Sequence, residues 1–203
     1  MTDDGVTIHW GHLDGRDANR FEPLLAADER DRAASFKFAR DGERYVIARG
    51  LLRGLLAERL AEGPARIRFA YGERGKPRLA QGSGLRFNLS HSHGVVAIAL
   101  CEGREVGVDV EARHDRLRIE SIARRFLPPQ VVSEMEGTGA DRSREFFRAW
   151  VRQEAYAKGR GAGLELLGEQ PEGWSIADLD LLEGFAAAVA VEGPPVQVGT
   201  RQI

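Results

Sequence analysis

The sequence has few cysteines, no excess of either charge and no long apolar run. Cys101 is the one cysteine among 203 residues, which excludes an intramolecular disulfide and a cysteine-based zinc finger. The 29 basic residues nearly balance 31 acidic ones, so the net charge of −2 gives no reason to expect a nucleic-acid ligand. The apolar run from Val95 to Cys101 is too short to span a bilayer, and Met1 to Gly5 lack a signal-peptide pattern. We therefore expect a cytoplasmic monomer that binds neither membrane nor nucleic acid.

The periodicity of the apolar residues predicts an α+β fold. With 42% hydrophobic and 30% charged residues, the composition is that of an ordinary globular protein. From Tyr45 to Leu60 apolar residues recur at steps of three and four, which predicts a helix that ends before Gly63-Pro64. Another helix is expected over 23–36. Strands are expected at 6–10, 67–69, 85–89, 95–100 and 106–111.

The second half of the chain repeats this mixture of helices and strands. Helices are predicted over 119–126 and 131–135, and from the plausible N-cap Ser143 to Lys158, where a glycine-rich segment follows. Strands return at 174–176, 185–191 and 196–200. A turn at 101–104 predicts a hairpin at the midpoint. We therefore divide the chain into two similar-sized α+β halves, 1–103 and 104–203.

Two carboxylates occupy alternate positions of the strand Gly107-Val108-Asp109-Val110-Glu111. Because successive side chains of a strand point to opposite faces, Asp109 and Glu111 share one face while the valines share the other. Neighbouring carboxylates repel each other unless a cation lies between them, and their oxygens suit Mg²⁺. The alternative is an ordinary half-exposed strand, which this spacing alone does not exclude.

An acid and a base follow on the helix that ends near Lys158. At about 100° per residue, Glu154 and Lys158 continue the stripe of Phe147, Trp150 and Val151, so both should be partly sheltered. Beside a metal, Glu154 could be a third ligand or a general base, and Lys158 could neutralise a phosphate leaving group. The alternative is a surface Glu-Lys pair worth about 0.2–0.5 kcal/mol.

The segment Asn88-Leu89-Ser90-His91-Ser92-His93-Gly94 offers hydroxyls, imidazoles and turn amides as donors to phosphate. A polar turn with local hydrogen bonds is the commoner explanation of such a segment. Zinc binding by these histidines, or by His9 and His12, lacks further ligands at a recognisable spacing. The segment Gly72 to Pro77 is not a phosphate loop, because proline follows its Gly-Lys.

Four motifs now stand in order along the chain: Gly75-Lys76-Pro77, Phe87-Asn88-Leu89-Ser90-His91-Ser92, Gly107-Val108-Asp109-Val110-Glu111, and Trp150-Val151-Arg152-Gln153-Glu154-Ala155 with Lys158. This ordered set resembles that of the Sfp-type 4′-phosphopantetheinyl transferases. The segment from Arg44-Tyr45 through Ala48-Arg49 to Leu52-Arg53 resembles a helix of the same family. The family usually has Lys where this chain has Gln153.

The resemblance implies Mg²⁺-dependent transfer of 4′-phosphopantetheine from coenzyme A to a serine of an acyl or peptidyl carrier protein, with release of adenosine 3′,5′-bisphosphate. It also implies two halves related by an approximate twofold axis, with the active site in the cleft between them. By position, Asp109, Glu111 and Glu154 would hold Mg²⁺. Glu154 would also help to deprotonate the carrier serine, and Lys158 would stabilise or protonate the departing phosphate.

The same resemblance implies a set of contacts to coenzyme A, which are Arg49, Lys76, Ser90, His91, Arg30 and Arg32. The arginines are expected near the 3′-phosphate, Arg49 in particular. Two alternatives remain open on the sequence. One is another Mg²⁺-dependent phosphotransferase or hydrolase that uses the same carboxylates, and the other is a non-catalytic protein that binds coenzyme A or a carrier protein.

Overall fold

The computed structural model describes residues 5–114, 119–137, 141–169 and 171–203. Its strands are β1 (Val6–His12), β2 (Phe69–Tyr71), β3 (Pro77–Leu79), β4 (Leu85–Ser92), β5 (Val95–Glu102), β6 (Val106–Ala112), β7 (Trp174–Leu179), β8 (Phe185–Glu192) and β9 (Val198–Gln202). Its α-helices are α1 (Ala27–Ala34), α2 (Ala39–Leu60), α3 (Ile119–Phe126), α4 (Pro129–Gly137) and α5 (Arg142–Arg160). Each half of the chain contributes a long helix that packs on a sheet, which confirms the predicted α+β fold of two halves.

The first sheet has the strand order β4-β5-β1-β9, and β2 and β3 pair separately. Both β4 and β1 run antiparallel to β5, whereas β9 runs parallel to β1. The apolar stripe of α2 places Leu52 and Leu56 against Ile98 of this sheet, and each fully buried leucine contributes about 1.5–3 kcal/mol. The helix ends where Ala61 adopts a left-handed φ of 49° and donates its N–H to the carbonyl of Ala57.

The second sheet has the order β6-β8-β7, and α5 packs against it. Helix and sheet approach each other closely at Gly107, where a Cβ atom would lie 2.0 Å from the carbonyl oxygen of Ala155. Only glycine fits this contact, which brings the end of α5 down onto the start of β6. The helix ends at Arg160, because Gly161 takes a left-handed φ of 65°.

The two sheets share a core. Val108 and Val110 of β6 belong to the same buried cluster as Ile8 and Ala97 of the first sheet. The predicted hairpin at 101–104 is wrong, because β6 pairs with β8 and not with β5. The reason is burial. As part of the second sheet, β6 covers the inner face of the first sheet with its valines. If β6 paired with β5, it would only add a strand to the edge of the first sheet.

Other predicted boundaries shift by a few residues. The helix expected over 23–36 is a 3₁₀ turn, Glu22–Leu24, followed by α1. The N-cap of α5 is Asp141 rather than Ser143. The strand β9 belongs to the second half of the sequence but extends the sheet of the first. Within the described ranges, no helix is both long and apolar enough to cross a membrane.

Candidate active site

A ladder of polar side chains joins β4 to β6, which lie side by side but belong to different sheets. Asn88 Oδ1 accepts the backbone N–H of Val108 at 3.0 Å. Two serines do the same further along: Ser90 Oγ lies 3.4 Å from the N of Val110, and Ser92 Oγ lies 3.3 Å from the N of Ala112. Because strand side chains alternate, three polar residues two apart all face β6. They fix the position of the strand that carries the two carboxylates.

Asp109 is completely buried at the centre of this arrangement, with 0% exposure. Its Oδ1 accepts hydrogen bonds from Ser90 Oγ at 2.8 Å and from Lys158 Nζ at 2.5 Å. The other oxygen, Oδ2, is buried and has no hydrogen-bond partner in the part of the chain that the structure describes. A buried carboxylate oxygen without a donor is costly, so this atom is a candidate ligand for a cation.

Glu111 and Glu154 complete a group of three carboxylates. Ser92 Oγ donates to Glu111 Oε2 at 2.7 Å. Burial, with a smaller effect of the Asp109 charge, raises the pKa of Glu111. Burial followed by the charges of Asp109 and Glu111 raises the pKa of Glu154. The three acids therefore repel one another across β6 and α5, as expected of a site that a cation would complete. Among the described residues, however, no three such side chains converge into a ready-formed metal cluster.

Lys158 lies in this group because its ammonium reaches across from α5 to β6. It donates to Asp109 Oδ1 and, at 3.0 Å, to Ser90 Oγ. Its partner is thus a buried acid on another element, not Glu154 one turn back on the same helix. The Lys158 side chain is 32% exposed, so it is partly accessible to solvent while its ammonium contacts Asp109.

His91 follows Ser90 on β4 and stays exposed at the surface. Loss of water around part of its ring, together with the charges of Lys158 and Arg44, lowers the pKa of His91. The neutral imidazole is therefore favoured near neutral pH. A bound anion would favour protonation of the His91 ring, and the protonated ring is the better hydrogen-bond donor to that anion.

The basic residues that were predicted to contact coenzyme A lie in three different environments, of which the arginines occupy two. Arg49 is buried and pairs with Glu29 at 2.8 Å, and it also donates to the Tyr71 hydroxyl at 3.3 Å. Together with Arg32 it lines a pocket of about 330 Å³ that includes Tyr71. Arg30 donates instead to the carbonyl of Leu25 and lines a different pocket.

Lys76 points away from the pocket of Arg49, although its neighbours Gly75 and Pro77 both line that pocket. Its side chain faces a separate cavity of about 750 Å³. There Lys76 Nζ contacts Glu105 Oε2 at 2.6 Å and the carbonyl of Gly159 at 2.5 Å. The expected contact with coenzyme A stays a prediction for this residue.

Gln153 faces away from the carboxylates, as the helical geometry predicts. Its Oε1 accepts the N–H of Gly168 at 3.1 Å, and its Nε2 donates to the carbonyl of Glu169 at 3.4 Å. The Gln153 side chain therefore fixes the position of the segment around Gly168 and Glu169, which follows α5.

One residue of the site, Glu29, was not identified from the sequence. It is buried between Arg49 and Arg53 and forms an ion pair with each of them. Asn88 and Ser92 belong to the polar segment that the sequence offered as donors to phosphate, whereas in the structure both accept backbone N–H groups of β6.

Comparison with known proteins gives consistent matches. The model of the 4′-phosphopantetheinyl transferase superfamily matches residues 105–190, and the model described as 4′-phosphopantetheinyl transferase, N-terminal, matches residues 16–103. The chain is 35% identical over 188 residues to the 4′-phosphopantetheinyl transferase HetI of Nostoc sp., a match spanning 83% of this chain and 79% of that protein. It is 28% identical to a 4′-phosphopantetheinyl transferase of Bacillus subtilis, over 76% of this chain and 68% of the relative. It is 35% identical to the 4′-phosphopantetheinyl transferase AcpT of Salmonella typhi, over 63% and 61%.

Proposed function

Because the chain belongs to the 4′-phosphopantetheinyl transferase superfamily, we propose that it transfers the phosphopantetheine arm of coenzyme A to a serine of an acyl or peptidyl carrier protein. The serine oxygen forms a bond to the β-phosphorus of coenzyme A, and the bond from that phosphorus to the bridging oxygen breaks. Adenosine 3′,5′-bisphosphate leaves, and the serine proton passes to a base of the enzyme or to water.

The observation that carries this proposal is the meeting of Lys158 with Asp109 and Ser90 beside two further carboxylates. A cation and an acid cluster at one point suit a reaction in which negative charge grows on a departing phosphate. Lys158 is placed to meet that charge, since its side chain is 32% exposed while its ammonium contacts Asp109 and Ser90.

Asp109, Glu111 and Glu154 would hold Mg²⁺ in this enzyme. The orphaned Oδ2 of Asp109 and the raised pKa values of Glu111 and Glu154 support this assignment, because a cation would satisfy the first and reverse the second. Carboxylate oxygens are the ligands that Mg²⁺ prefers. When bound, Mg²⁺ would neutralise the pyrophosphate of coenzyme A and make its phosphorus easier to attack.

Glu154 is the best-placed base for the carrier serine, directly or through water. It lies one turn before Lys158 on α5 and close enough to Asp109 and Glu111 to feel their charges, so a serine that attacks the phosphate held there would meet its carboxylate. Ser90, besides its bond to Asp109, presents its hydroxyl beside Lys158, and His91 follows on the exposed side of β4. Both remain our candidates for contact with the coenzyme.

We assign the nucleotide end of coenzyme A to the pocket of about 330 Å³ that Arg32, Arg49 and Tyr71 line, because two arginines there can face a phosphate. Arg32 is the more available cation for the 3′-phosphate, since the guanidinium of Arg49 is already paired with Glu29. Arg30 faces another pocket, so we place it behind Arg32 and Arg49 as a phosphate ligand. Binding of the 3′-phosphate by Arg49 would require it to share its charge between Glu29 and the ligand.

We also propose that the enzyme acts as a monomer in the cytoplasm. Every proposed site residue comes from the same chain, so a second copy is not needed to complete the site. Cys101, the single cysteine, is buried and free, as suits a reducing compartment.

Mass measurement on apo carrier proteins tests the proposed function. The wild-type protein is incubated with coenzyme A, Mg²⁺ and a panel of apo carriers from fatty-acid, polyketide and peptide synthesis. We expect at least one carrier to gain one phosphopantetheinyl group, with an equal amount of adenosine 3′,5′-bisphosphate released. A matched reaction with excess EDTA should give no product.

Two other outcomes would contradict the proposal. Release of free phosphopantetheine without a modified carrier would identify a hydrolase that uses the same carboxylates. Tight binding of coenzyme A or a carrier, without any product, would identify a binding protein that has no catalytic activity.

A further inference from the structure

Lys76 connects the two halves of the molecule at a single ammonium group. Its Nζ donates to Glu105 Oε2 at 2.6 Å, to the carbonyl of Gly159 at 2.5 Å and to the carbonyl of Val106 at 3.3 Å. An ammonium has three hydrogens to donate, so these contacts occupy all of them. Only 16% of the side chain is exposed.

Two of the three acceptors belong to the elements that carry the carboxylates, and Glu105 directly precedes β6. Val106 is the first residue of β6, which bears Asp109 three residues later. Gly159 lies in the last turn of α5, directly after Lys158, where unpaired helix carbonyls favour a cation. The stem of Lys76 also packs on Gly161, since a Cβ atom there would lie 3.3 Å from Lys76 Cδ.

The backbone on either side of Lys76 forms the wall of the proposed nucleotide pocket. Gly75 and Pro77 line the 330 Å³ pocket with Arg49 and Tyr71, while the Lys76 side chain lies in the 750 Å³ cavity. Gly75 adopts a left-handed φ of 81°, which glycine permits. This conformation lets the backbone line one pocket while the Lys76 side chain lies in the other cavity. The backbone of Lys76 thus lies beside the proposed nucleotide pocket, whereas its ammonium contacts the C-terminal half of the chain.

We propose that Lys76 is a positioning residue, which holds the pocket wall at Gly75 and Pro77 in register with β6 and α5, rather than a ligand of coenzyme A. This inference rests on the proposed function, because it concerns how a coenzyme bound at its nucleotide end is aligned with Glu154 and Lys158. Loss of the ammonium frees the wall to move relative to the carboxylates. Rate falls steeply with such misalignment, by up to about a hundredfold for a shift of about 1 Å.

The test compares turnover with binding of adenosine 3′,5′-bisphosphate alone, which needs only the nucleotide pocket. In Lys76→Met we expect turnover to fall about tenfold or more, while the Kd of the bisphosphate by calorimetry changes by less than about threefold. Lys76→Arg, which keeps the charge, should recover most of the turnover. The control is Arg78→Met, an exposed residue two positions away, which should match the wild type.

A second variant reaches the same contact from the opposite side. Glu105→Met removes the acidic partner of Lys76 and should lower turnover in the same direction, and the double variant should be little worse than Lys76→Met. Because Glu105 also accepts from Arg86 Nε at 2.9 Å, Arg86→Met is the control for the loss of that second pair and should match the wild type. If Lys76 instead binds the coenzyme, Lys76→Met should weaken bisphosphate or coenzyme A binding as much as turnover, and Glu105→Met should have no effect. That result, or unchanged turnover in Lys76→Met, would overturn the proposal.

Amide hydrogen exchange separates this inference from the proposed function. In Lys76→Met, exchange should rise together in residues 72–77 and in the last turn of α5, and it should stay unchanged in Arg78→Met. Should the wild type modify no carrier, the proposed function fails while this coupling can still be measured. Faster exchange in neither segment would refute the positioning role, whatever the activity.

Discussion

The ladder between β4 and β6 makes Asn88 a sensitive point of the fold. Asn88 is 6% exposed, and its Oδ1 accepts the Val108 N–H at 3.0 Å. No water can easily replace this acceptor at a site buried between two strands. Removing the side chain oxygen therefore leaves a buried backbone donor without its partner.

The expected cost follows from that unsatisfied donor. A buried donor left without an acceptor costs about 1–3 kcal/mol. For a protein of this size, about 1 kcal/mol lowers Tm by about 2–4 °C, so Asn88→Ala should lower Tm by roughly 2–12 °C. Ser92→Ala tests the ladder less cleanly, because it removes both the acceptor of Ala112 N at 3.3 Å and the donor to Glu111 Oε2 at 2.7 Å.

Urea unfolding followed by circular dichroism measures the change in the free energy of unfolding, and thermal unfolding measures the change in Tm. Asn88→Leu has a similar volume but no acceptor, so it separates the lost hydrogen bond from lost packing. Gln81→Ala, at an exposed turn position, is the control and should match the wild type. If Asn88→Leu were as stable as the wild type, the ladder would not be what holds β6 beside β4.

Three further predictions concern the site. Lys158→Met should lower the free energy of unfolding, because it leaves the buried charge of Asp109 unpaired. The expected loss is only about 1–2 kcal/mol, since Lys158 itself is partly solvated. Adding Asp109→Asn should restore most of this loss, as measured by urea unfolding. Without metal, Glu154→Gln should stabilise the protein at pH 8 but not at pH 4. Its folded pKa lies above the ordinary value of 4.5, so the destabilisation begins as pH rises through 4.5, grows up to the folded pKa and is constant above it. Gln153→Lys should change the apparent affinity for coenzyme A less than tenfold and leave turnover nearly constant in a carrier assay, because Gln153 contacts the segment at Gly168. Equal stability of Glu154→Gln and wild type at both pH values, or a large gain in turnover by Gln153→Lys, would contradict these arguments.

Local periodicity was sufficient to predict much of this site. A period of two placed Asp109 and Glu111 on one face of β6, and a helical period placed Glu154 and Lys158 beside the apolar anchors of α5. Both elements exist as predicted. Local patterns describe single elements well because strand and helix geometry repeat regularly along the chain.

What the sequence did not reveal depends on residues far apart along the chain. The pair of Lys158 with Asp109 joins residues 49 positions apart, so no helical spacing could predict it. A short connection between β5, which ends at Glu102, and β6, which begins at Val106, was predicted, but whether two strands pair depends on which sheet needs its inner face covered. Glu29 has no local signal at all, since only the folded chain places it between Arg49 and Arg53.

The central claim is that the carboxylates of β6 and α5 support phosphopantetheine transfer. It is tested most directly by weighing a carrier protein after reaction with wild type, Glu154→Gln and Glu145→Gln at matched enzyme and Mg²⁺ concentrations. Glu145 is the control because it lies on the same helix but pairs with Arg148, away from Asp109. We predict full conversion to the holo-carrier by wild type and Glu145→Gln, and almost none by Glu154→Gln. Undiminished transfer by Glu154→Gln, or by the wild type in excess EDTA, would contradict the claim.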